Sequence, residues 1–255
     1  MSQEKLELMI ATQRRALITG ASSGIGKATA LAFAKAGIDI ALVSRSQEKL
    51  EAVASATQQT GVKVKAYHLD LAEIAQVQEK ISAMPSASFA NAADFGAIDI
   101  LVNNAGMGYT NTLSETSLLD WQCVINLNLT SVFQCILGIL PMMRDRKKGT
   151  IINVASVAGQ HPFPSWGAYS VSKAGLIALS KTLAAEERAH GIRVTAICPG
   201  AVNTEFWDTE TVHLKFERSA MLTPEIVAQS ILYTALLPEQ AVIEELTLMP
   251  SAGVL

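Results

Sequence analysis

The chain is poor in the residues that build disulfide frameworks and metal sites. It has three cysteines and four histidines among 255 residues. The cysteines form no CxxC pair and their odd number gives no disulfide framework, so Cys123, Cys135 and Cys198 are interpreted as small core residues of a reducing compartment. The histidines lack metal-ligand spacing, and no metal is expected.

Charge is also scarce. Charged side chains make up 17% of the residues and the formal net charge is −3, which excludes a basic face for nucleic acid. The one basic run, at 144–148, follows a long helical segment and is interpreted as a solvated helix end. Charged residues occupy the amino terminus where a signal peptide has an apolar stretch, so a cytoplasmic protein is expected.

One long stretch has no charge. Residues 121–143 contain no Asp, Glu, Lys or Arg, which is long enough for a membrane span. Polar side chains interrupt the stretch at Asn126, Asn128, Thr130, Ser131 and Gln134. It is therefore predicted to be a buried or interface helix, and no membrane contact is expected.

Apolar runs suited to strands alternate with helix-length segments, and no repeat or linker marks a domain boundary. Strands are predicted at 16–19, 38–43, 62–67, 98–102, 150–154, 194–197 and 245–248. Helices are predicted at 24–36, 47–58, 72–84, 118–143, 169–190 and 224–236. This order predicts an α/β protein with a Rossmann-type, doubly wound parallel sheet covered on both faces. A single domain is expected over 15–255, after an extension at 1–14.

Ligands of such sheets bind beyond the carboxyl ends of the strands. The first strand is followed by TGASSGIG at 19–26, where glycines let the backbone approach a pyrophosphate at a helix amino terminus. The spacing GxxxGxG differs from the commonest fingerprint, GxGxxG. A nucleotide loop is favoured over a merely tight turn.

Arg45 ends the second strand, 19 residues after Gly26. An acidic residue near this position accepts hydrogen bonds from the ribose of NAD, whereas a guanidinium suits a 2′-phosphate. NADP(H) is therefore predicted in preference to NAD(H), with Ser22 and Ser44 as further donors. The alternative is a surface arginine that starts a helix.

Polar residues also follow the third and fourth strands. Asp70 is placed either to accept from an adenine amino group or to cap a helix. NNAG at 103–106 contains a glycine that permits close backbone approach, although such turns also occur without function.

Ser156 follows the fifth strand, thirteen residues before Tyr169, and Lys173 comes four residues later. The spacing i, i+4 puts Tyr169 and Lys173 on one helix face. An ammonium beside a phenol stabilises the phenolate, so a lowered pKa is predicted for Tyr169. The alternative is a chance pair on a helix surface.

TGASSGIG, NNAG, a serine thirteen residues before YSVSK, and CPG at 198–200 together resemble the short-chain dehydrogenase/reductase family. The resemblance runs from about residue 16 to the end of the chain. It implies an NADP-preferring carbonyl or 3-oxoacyl reductase-like enzyme that transfers a hydride between a nicotinamide cofactor and a small carbonyl or secondary alcohol.

The resemblance implies four catalytic residues. Tyr169 is the acid/base and Ser156 holds the substrate oxygen. Lys173 lowers the tyrosine pKa and binds the nicotinamide ribose. Asn128, preferred to its neighbour Asn126, supports a water-linked proton relay to that lysine.

The resemblance also implies a cofactor-binding set. It comprises Thr19, Gly20, Ser22, Ser23, Gly24, Ile25, Gly26, Ser44, Arg45, Asp70, Leu71, Asn104, Ala105, Gly106, Tyr169, Lys173, Pro199, Gly200, Val202 and Thr204. Ser23 stands where NADP users of the family often have a basic residue. Arg45 is therefore left as the main determinant of cofactor choice.

Two stretches are predicted to decide the substrate. Residues 157–166 separate the serine from the tyrosine, and residues 203–222 are placed to close as an apolar lid. The residues predicted to line the substrate site are Val157, His161, Phe163, Trp166, Phe206 and Trp207. The alternatives are ordinary packing of the aromatic residues and a solvent-facing loop for His161.

Other functions remain open. A 3-oxoacyl-[acyl-carrier-protein] reductase would share these motifs and needs a basic docking face near the site entrance, for which 144–148 is the candidate. A sugar-nucleotide epimerase is disfavoured because the length leaves little room for a second domain. A cofactor-sensing module without catalysis would have lost part of the catalytic set. Apolar surface on the predicted helices 118–143 and 169–190 favours a homotetramer, with a dimer as the alternative.

Overall fold

The structure is a computed structural model that describes residues 14–84, 95–213 and 217–253. The expected amino-terminal extension therefore lies outside the described residues apart from Arg14, as do residues 214–216 of the expected lid.

Seven parallel strands form one sheet in the order β3-β2-β1-β4-β5-β6-β7. The strands are β1 (Arg15–Thr19), β2 (Asp39–Ser44), β3 (Val64–His68), β4 (Ile100–Asn103), β5 (Gly149–Val154), β6 (Ile192–Pro199) and β7 (Glu245–Leu248). All seven predicted strands are present, and no boundary moves by more than two residues. The prediction of a doubly wound parallel sheet is confirmed.

Seven α-helices flank the sheet in the described structure. They are α1 (Gly24–Lys35), α2 (Gln47–Gln58), α3 (Ile74–Ala83), α4 (Leu118–Ile125), α5 (Ser131–Arg146), α6 (Gly167–Glu187) and α7 (Pro224–Leu236). A 3₁₀ turn, Arg188–His190, follows α6. The predicted helix at 169–190 thus starts two residues too late and includes that turn.

The helix predicted at 118–143 is present and continues to Arg146. It contains a π-helical turn, Asn126–Thr130, that joins α4 to α5 and that the sequence did not predict. The wider turn brings Asn128 into the interior, where its side chain bonds the backbone of Met107. Hydrophobic periodicity cannot reveal such a turn, because the pattern of apolar residues on either side still fits an α-helix.

The core consists of two layers, one on each face of the sheet. Neighbouring strand residues alternate between them: Leu17 packs in the layer with α3, α5 and α6, and Ile18 packs in the layer with α1, α2 and α7. Both side chains are fully buried. Burial on both faces explains why the strands are almost continuously apolar.

Residues Leu118–Arg146 form the described segment that is long and apolar enough to cross a membrane. Half of its most apolar part is buried inside the molecule, so packing accounts for much of its composition. The interpretation of the cysteines holds for Cys135 and Cys198, which are buried, but not for Cys123, which is exposed on α4.

The chain builds the sheet outward from β1 to β3 and then crosses back to place β4 on the other side of β1. The loops after β1 and β4 therefore lead in opposite directions and leave a crevice at the carboxyl ends of the strands. Parallel α/β sheets bind ligands at this switch point.

Candidate active site

A cavity of about 970 Å³ opens at the carboxyl ends of the strands. Residues that follow β1, β2, β3, β4, β5 and β6 line it, and the segment after β6 forms one wall. The cavity extends from Arg45 and Asp70 at one end to Trp166 and Phe206 at the other. The predicted cofactor residues other than Thr19 and Gly26, and the predicted substrate residues other than His161, thus line one cavity.

Two glycines allow the loop after β1 to fold tightly. Gly20 has φ +63°, and a Cβ there would lie 2.8 Å from Ala105 Cα. A Cβ on Gly26 would lie 2.2 Å from the Gly20 carbonyl oxygen. Larger residues would push the loop and the start of α1 apart.

The first turn of α1 faces this cavity. Gly24 and Ile25 line it, and the side chain of Ser23 makes no capping hydrogen bond to the helix. The unpaired N–H groups of a helix amino terminus, with their positive potential, suit a diphosphate. The residues present therefore fit a dinucleotide.

Thr19 joins two loops rather than lining the cavity. Its Oγ1 accepts hydrogen bonds from the N–H groups of Asn104 (3.0 Å) and Ala105 (3.1 Å). Asn104 Nδ2 donates in return to the Thr19 and Gly20 carbonyls. Thr19 and Gly26 were predicted to contact the cofactor. In the structure they lie behind the loop and hold its shape.

Hydroxyl groups and a guanidinium surround the end of β2. Ser44 Oγ donates to Ser22 Oγ at 2.7 Å, and the exposed Arg45 lies beside them on the cavity rim. Asp70 lines the same end, and its Oδ1 accepts from the Ala72 N–H at 2.9 Å. Asp70 thus caps the turn before α3 rather than the helix itself, whose N-cap is Glu73, and its predicted contact with an adenine amino group stays a prediction.

Tyr169 lies in the first turn of α6, next to Ser156 at the end of β5. Burial raises the pKa of Tyr169 to about 12, and a hydrogen bond with the Ser156 side chain lowers it by less. The predicted lowering of this pKa is therefore wrong for the protein by itself. Desolvation of the phenolate raises this pKa by more than the Ser156 hydrogen bond lowers it, and residue spacing cannot reveal desolvation.

Lys173 stands one helical turn after Tyr169. Its Nζ donates to the Val154 carbonyl at 2.9 Å and lies 5.8 Å from the centroid of the Tyr169 ring. The side chain is buried, and this burial lowers the pKa of Lys173 to about 8. The two residues share a helix face, as the spacing predicted, and Lys173 is mainly an ammonium at neutral pH.

Asn128 lies behind these groups, outside the cavity lining. Its Nδ2 donates to the Met107 carbonyl and to Ser172 Oγ, and its Oδ1 accepts from the Met107 N–H at 2.8 Å. A Cβ on Gly106 would lie 3.1 Å from Asn128 Oδ1 and 3.6 Å from Lys173 Nζ. Asn128 therefore packs beside the lysine, whereas Asn126 is exposed.

Aromatic rings form the wall beside Tyr169. Trp166 and Phe206 stack with centroids 6.1 Å apart and planes 2° from parallel. The Tyr169 ring contacts both, at 5.2 Å and 5.8 Å between centroids, and Trp207 packs edge-on against Phe206. Phe163 and Val157 also line the cavity.

His161 was predicted to line the substrate site, with a solvent-facing loop position as the alternative. In the structure it is exposed and does not line the cavity, which agrees with the alternative.

Hydrogen bonds hold the segment after β6 across the cavity. The Thr110 N–H donates to the Thr211 carbonyl at 2.9 Å, and Thr211 Oγ1 donates to the Gly108 carbonyl at 2.6 Å. The His213 N–H donates to Thr110 Oγ1 at 2.9 Å. A Cβ on Gly108 would lie 2.4 Å from Phe206 Cζ, so this glycine lets the aromatic ring approach.

Sequence reasoning missed several cavity residues, among them Lys49, Met107, Gly108, Glu205 and Glu210. Met107 and Gly108 directly follow NNAG, and this position after a strand was a usable signal. Lys49 carried no such signal because it lies within α2. Among residues 14–84, 95–213 and 217–253, no group of three or more His, Cys, Asp or Glu could hold a metal ion.

Comparisons with known proteins agree with this geometry. A family model described as short chain dehydrogenase matches residues 14–214. The 3-oxoacyl-[acyl-carrier-protein] reductase of Synechocystis sp. is 36% identical over 257 residues, which cover 95% of this chain and 97% of that protein.

Solved structures agree as well. An alcohol dehydrogenase from the archaeon Thermococcus sibiricus, complexed with 5-hydroxy-NADP, has a TM-score of 0.83 and 31% identity over 93% of this chain and 97% of that one. A short-chain dehydrogenase from Sphingobium yanoikuyae in complex with NADPH has a TM-score of 0.78 and 29% identity over 94% and 89%. The fold, the motifs and these similarities agree, and the chain belongs to the short-chain dehydrogenase/reductase family of oxidoreductases.

Proposed function

We propose that this oxidoreductase is an NADP(H)-dependent carbonyl reductase for compact, apolar ketones or aldehydes. The observation that carries the proposal is the position of the Tyr169 hydroxyl. It lies between the Ser156 side chain and the rings of Trp166 and Phe206, at the wall of one cavity. A proton donor and an apolar surface thus face the same space.

The cofactor is assigned to the opposite end of the cavity. The glycine loop and the start of α1 suit its diphosphate, and Arg45 with Ser22 and Ser44 suits a 2′-phosphate. The NADP and NADPH complexes of the two similar structures support this choice. Asn104, Ala105, Gly106, Pro199, Gly200, Val202 and Thr204 line the space between the two ends.

When bound, the nicotinamide supplies or accepts the hydride. The chain itself manages the proton. With a pKa of about 12, Tyr169 is a phenol at neutral pH and donates its proton to the substrate oxygen as that oxygen gains negative charge. The Ser156 hydroxyl donates a hydrogen bond to the same oxygen and stabilises the charge.

Lys173 supplies positive charge beside the phenolate that remains after this transfer. Its ammonium favours the phenolate by Coulomb attraction, and burial strengthens that attraction. Asn128 acts as a positioning residue. It holds the backbone of Met107 and the hydroxyl of Ser172, on the turn of α6 that carries the lysine.

The segment at about 203–222 is proposed as the substrate lid, within the single domain at 15–255. Its described part carries Phe206 and Trp207 onto Trp166, and Trp207 Nε1 donates to the Val202 carbonyl at 2.8 Å. Its hydrogen bonds to residues 108–110 support a closed arrangement over the cavity. Closure would exclude water from the proton transfer.

Reduction of a 3-oxoacyl group on acyl-carrier protein is the second candidate, favoured by the name of the Synechocystis relative. The candidate basic run does not support it. Arg146 pairs with Asp99 and Lys148 with Glu239, at the amino end of the sheet and thus opposite the cavity. At the cavity rim, the exposed acids Glu205 and Asp208 pair with Lys49 and Arg218, and Glu210 adds a further negative charge. This rim therefore lacks the excess of basic side chains that would attract an acidic carrier protein.

A homotetramer is proposed for the assembly. Leu118 and Leu119 on α4, Phe133 on α5 and Val171 on α6 are large apolar side chains with 42–72% of their surface exposed. Exposed apolar side chains of this size favour association, and closed symmetric oligomers are the usual outcome. The free thiols of Cys123, Cys135 and Cys198 support a reducing, cytoplasmic location.

The experiment that tests the function is NADPH consumption against a panel of compact aromatic and aliphatic ketones, aldehydes, and 3-oxoacyl groups on a small thiol or on acyl-carrier protein. We expect the highest kcat/KM with a free carbonyl compound. Equal activity on small-thiol and carrier-linked 3-oxoacyl groups would show that the carrier is not recognised. A large preference for the carrier-linked form would establish the second candidate instead.

A further inference from the structure

An ion pair crosses the mouth of the cavity. Lys49 Nζ lies 2.8 Å from Glu205 Oε2, and the two residues are 156 positions apart in the chain. Lys49 belongs to the first turn of α2, and Glu205 begins the turn that carries Phe206 and Trp207. Both line the cavity, with side chains 57% and 66% exposed. The pair therefore joins the cofactor end of the site to the lid.

Lys49 also lies with the groups assigned to the 2′-phosphate. Ser22, Ser44, Arg45 and Ser46 line the same end of the cavity, and Ser44 Oγ bonds both the Ser22 hydroxyl and the Ser46 N–H. Arg45 by itself provides one exposed cation for a dianion. An ammonium on a flexible stem, one turn further along the chain, brings a second.

Glu205 is a carboxylate close to that position. Without a cation beside it, its charge would oppose the approach of a phosphate. Its present partner, Lys49, has a stem long enough to turn from the carboxylate to a nearby phosphate. The two anions thus compete for one ammonium.

We propose that Lys49 is a second residue that determines NADP specificity. It binds the 2′-phosphate together with Arg45, and Glu205 competes with the phosphate for it. This inference rests on the proposed use of NADP(H). The pair is exposed, so each effect on affinity should be modest, about two- to fivefold, as measured for exposed ion pairs.

The test is direct binding of NADPH and of NADH, measured by cofactor fluorescence at low and high NaCl. Lys49→Gln should raise the Kd for NADPH about two- to fivefold and leave the Kd for NADH unchanged. Glu205→Gln should lower the Kd for NADPH, because it frees the ammonium and removes a like charge. Both differences should shrink at high salt, since salt screens exposed charges.

Lys80→Gln is the matched control, because Lys80 is an exposed lysine on α3 that does not line the cavity. A Lys49→Gln variant that behaves like this control would overturn the inference. An equal loss of affinity for NADH and NADPH would also overturn it, because Lys49 would then contact the diphosphate that both cofactors share. If both Lys49→Gln and Glu205→Gln lose affinity for NADPH, the ion pair only holds the proposed lid in place, and the inference is wrong.

The wild-type protein separates this inference from the proposed function. If it binds NADPH no more tightly than NADH, the proposed cofactor is wrong and the inference falls with it. If the wild type prefers NADPH and the Lys49→Gln variant has the same ratio of Kd values for NADH and NADPH, only the inference about Lys49 fails.

Discussion

Phe206 stacks on Trp166 with the two ring planes 2° apart, and the Tyr169 ring lies against both. The segment after β6 thus places an aromatic ring directly beside the proposed proton donor. A substrate carbonyl at Tyr169 would have its substituents in contact with these rings, so flat, apolar groups are favoured over charged or extended ones.

Phe206→Ala should therefore raise KM for compact ketones by about tenfold, the cost of losing the burial of one large apolar side chain. Gly108→Ala should act in the same direction, because its Cβ would lie 2.4 Å from Phe206 Cζ and displace the ring. Steady-state kinetics measure both effects. Tyr233→Ala on α7, an exposed aromatic residue outside the cavity, is the control. Unchanged KM values in both lid variants would mean that the rings only pack the domain.

Tyr169→Phe should lower kcat for carbonyl reduction by about 10²- to 10⁴-fold, because it removes the proton donor. NADPH should still bind, as measured by fluorescence titration. Ser156→Ala should lower kcat by about 10²- to 10³-fold through loss of a donor to the substrate oxygen. Tyr233→Phe, at an exposed position on α7, is the control and should have wild-type kinetics. Substantial reduction by Tyr169→Phe would refute the assignment of the acid.

The pH dependence should follow Lys173. Its pKa is lowered to about 8 by burial, so the ammonium is lost as pH rises through that value. We expect kcat for reduction to fall above about pH 8 if the ammonium stabilises the phenolate. Between about pH 8 and 10.5, Lys173 is neutral in the folded protein but still protonated in the unfolded chain. The free energy of unfolding should therefore increase as the pH rises through this range.

The control for this prediction is Lys173→Arg, which stays charged throughout the range. Its kcat should be lower than that of the wild type but should lack the fall near pH 8. A wild-type profile that stays flat to pH 10 would show that the charge of Lys173 does not enter the rate.

Arg45→Asp should weaken NADPH binding by about tenfold to a hundredfold and improve the relative use of NADH. The guanidinium would be lost as a donor to the 2′-phosphate, and an aspartate repels that phosphate while accepting from a ribose hydroxyl. The ratio of kcat/KM for NADPH to that for NADH measures the change. If the ratio does not move, Arg45 is a surface arginine, the alternative that the sequence left open.

Light scattering at micromolar concentration should give the mass of a homotetramer, about four times 27.2 kDa. Leu118→Glu combined with Leu119→Glu should reduce that mass, because charges would replace two exposed apolar side chains. A monomeric wild-type protein would contradict the proposed assembly.

The order of strands and helices was readable from the sequence, because buried parallel strands are continuous apolar runs and surface helices are not. The glycine loop, NNAG and Ser156 were recognisable for a related reason. Each lies at the end of a strand, and parallel topology brings the ends of neighbouring strands to one edge of the sheet. Tyr169 and Lys173 were recognisable by their spacing, because residues four apart share a helix face.

Tertiary structure decided what depends on burial and on contacts between distant segments. The π-turn that buries Asn128 and the pKa of Tyr169 both follow from packing around those residues, which no local pattern encodes. The Lys49–Glu205 pair joins residues 156 positions apart, and the stacking of Phe206 on Trp166 joins the segment after β6 to the start of α6. The sequence by itself determined which groups follow the strands, because backbone propensity and apolar periodicity are local. Their protonation and their partners were set by the folded environment, because desolvation and ion pairing act through space rather than along the chain.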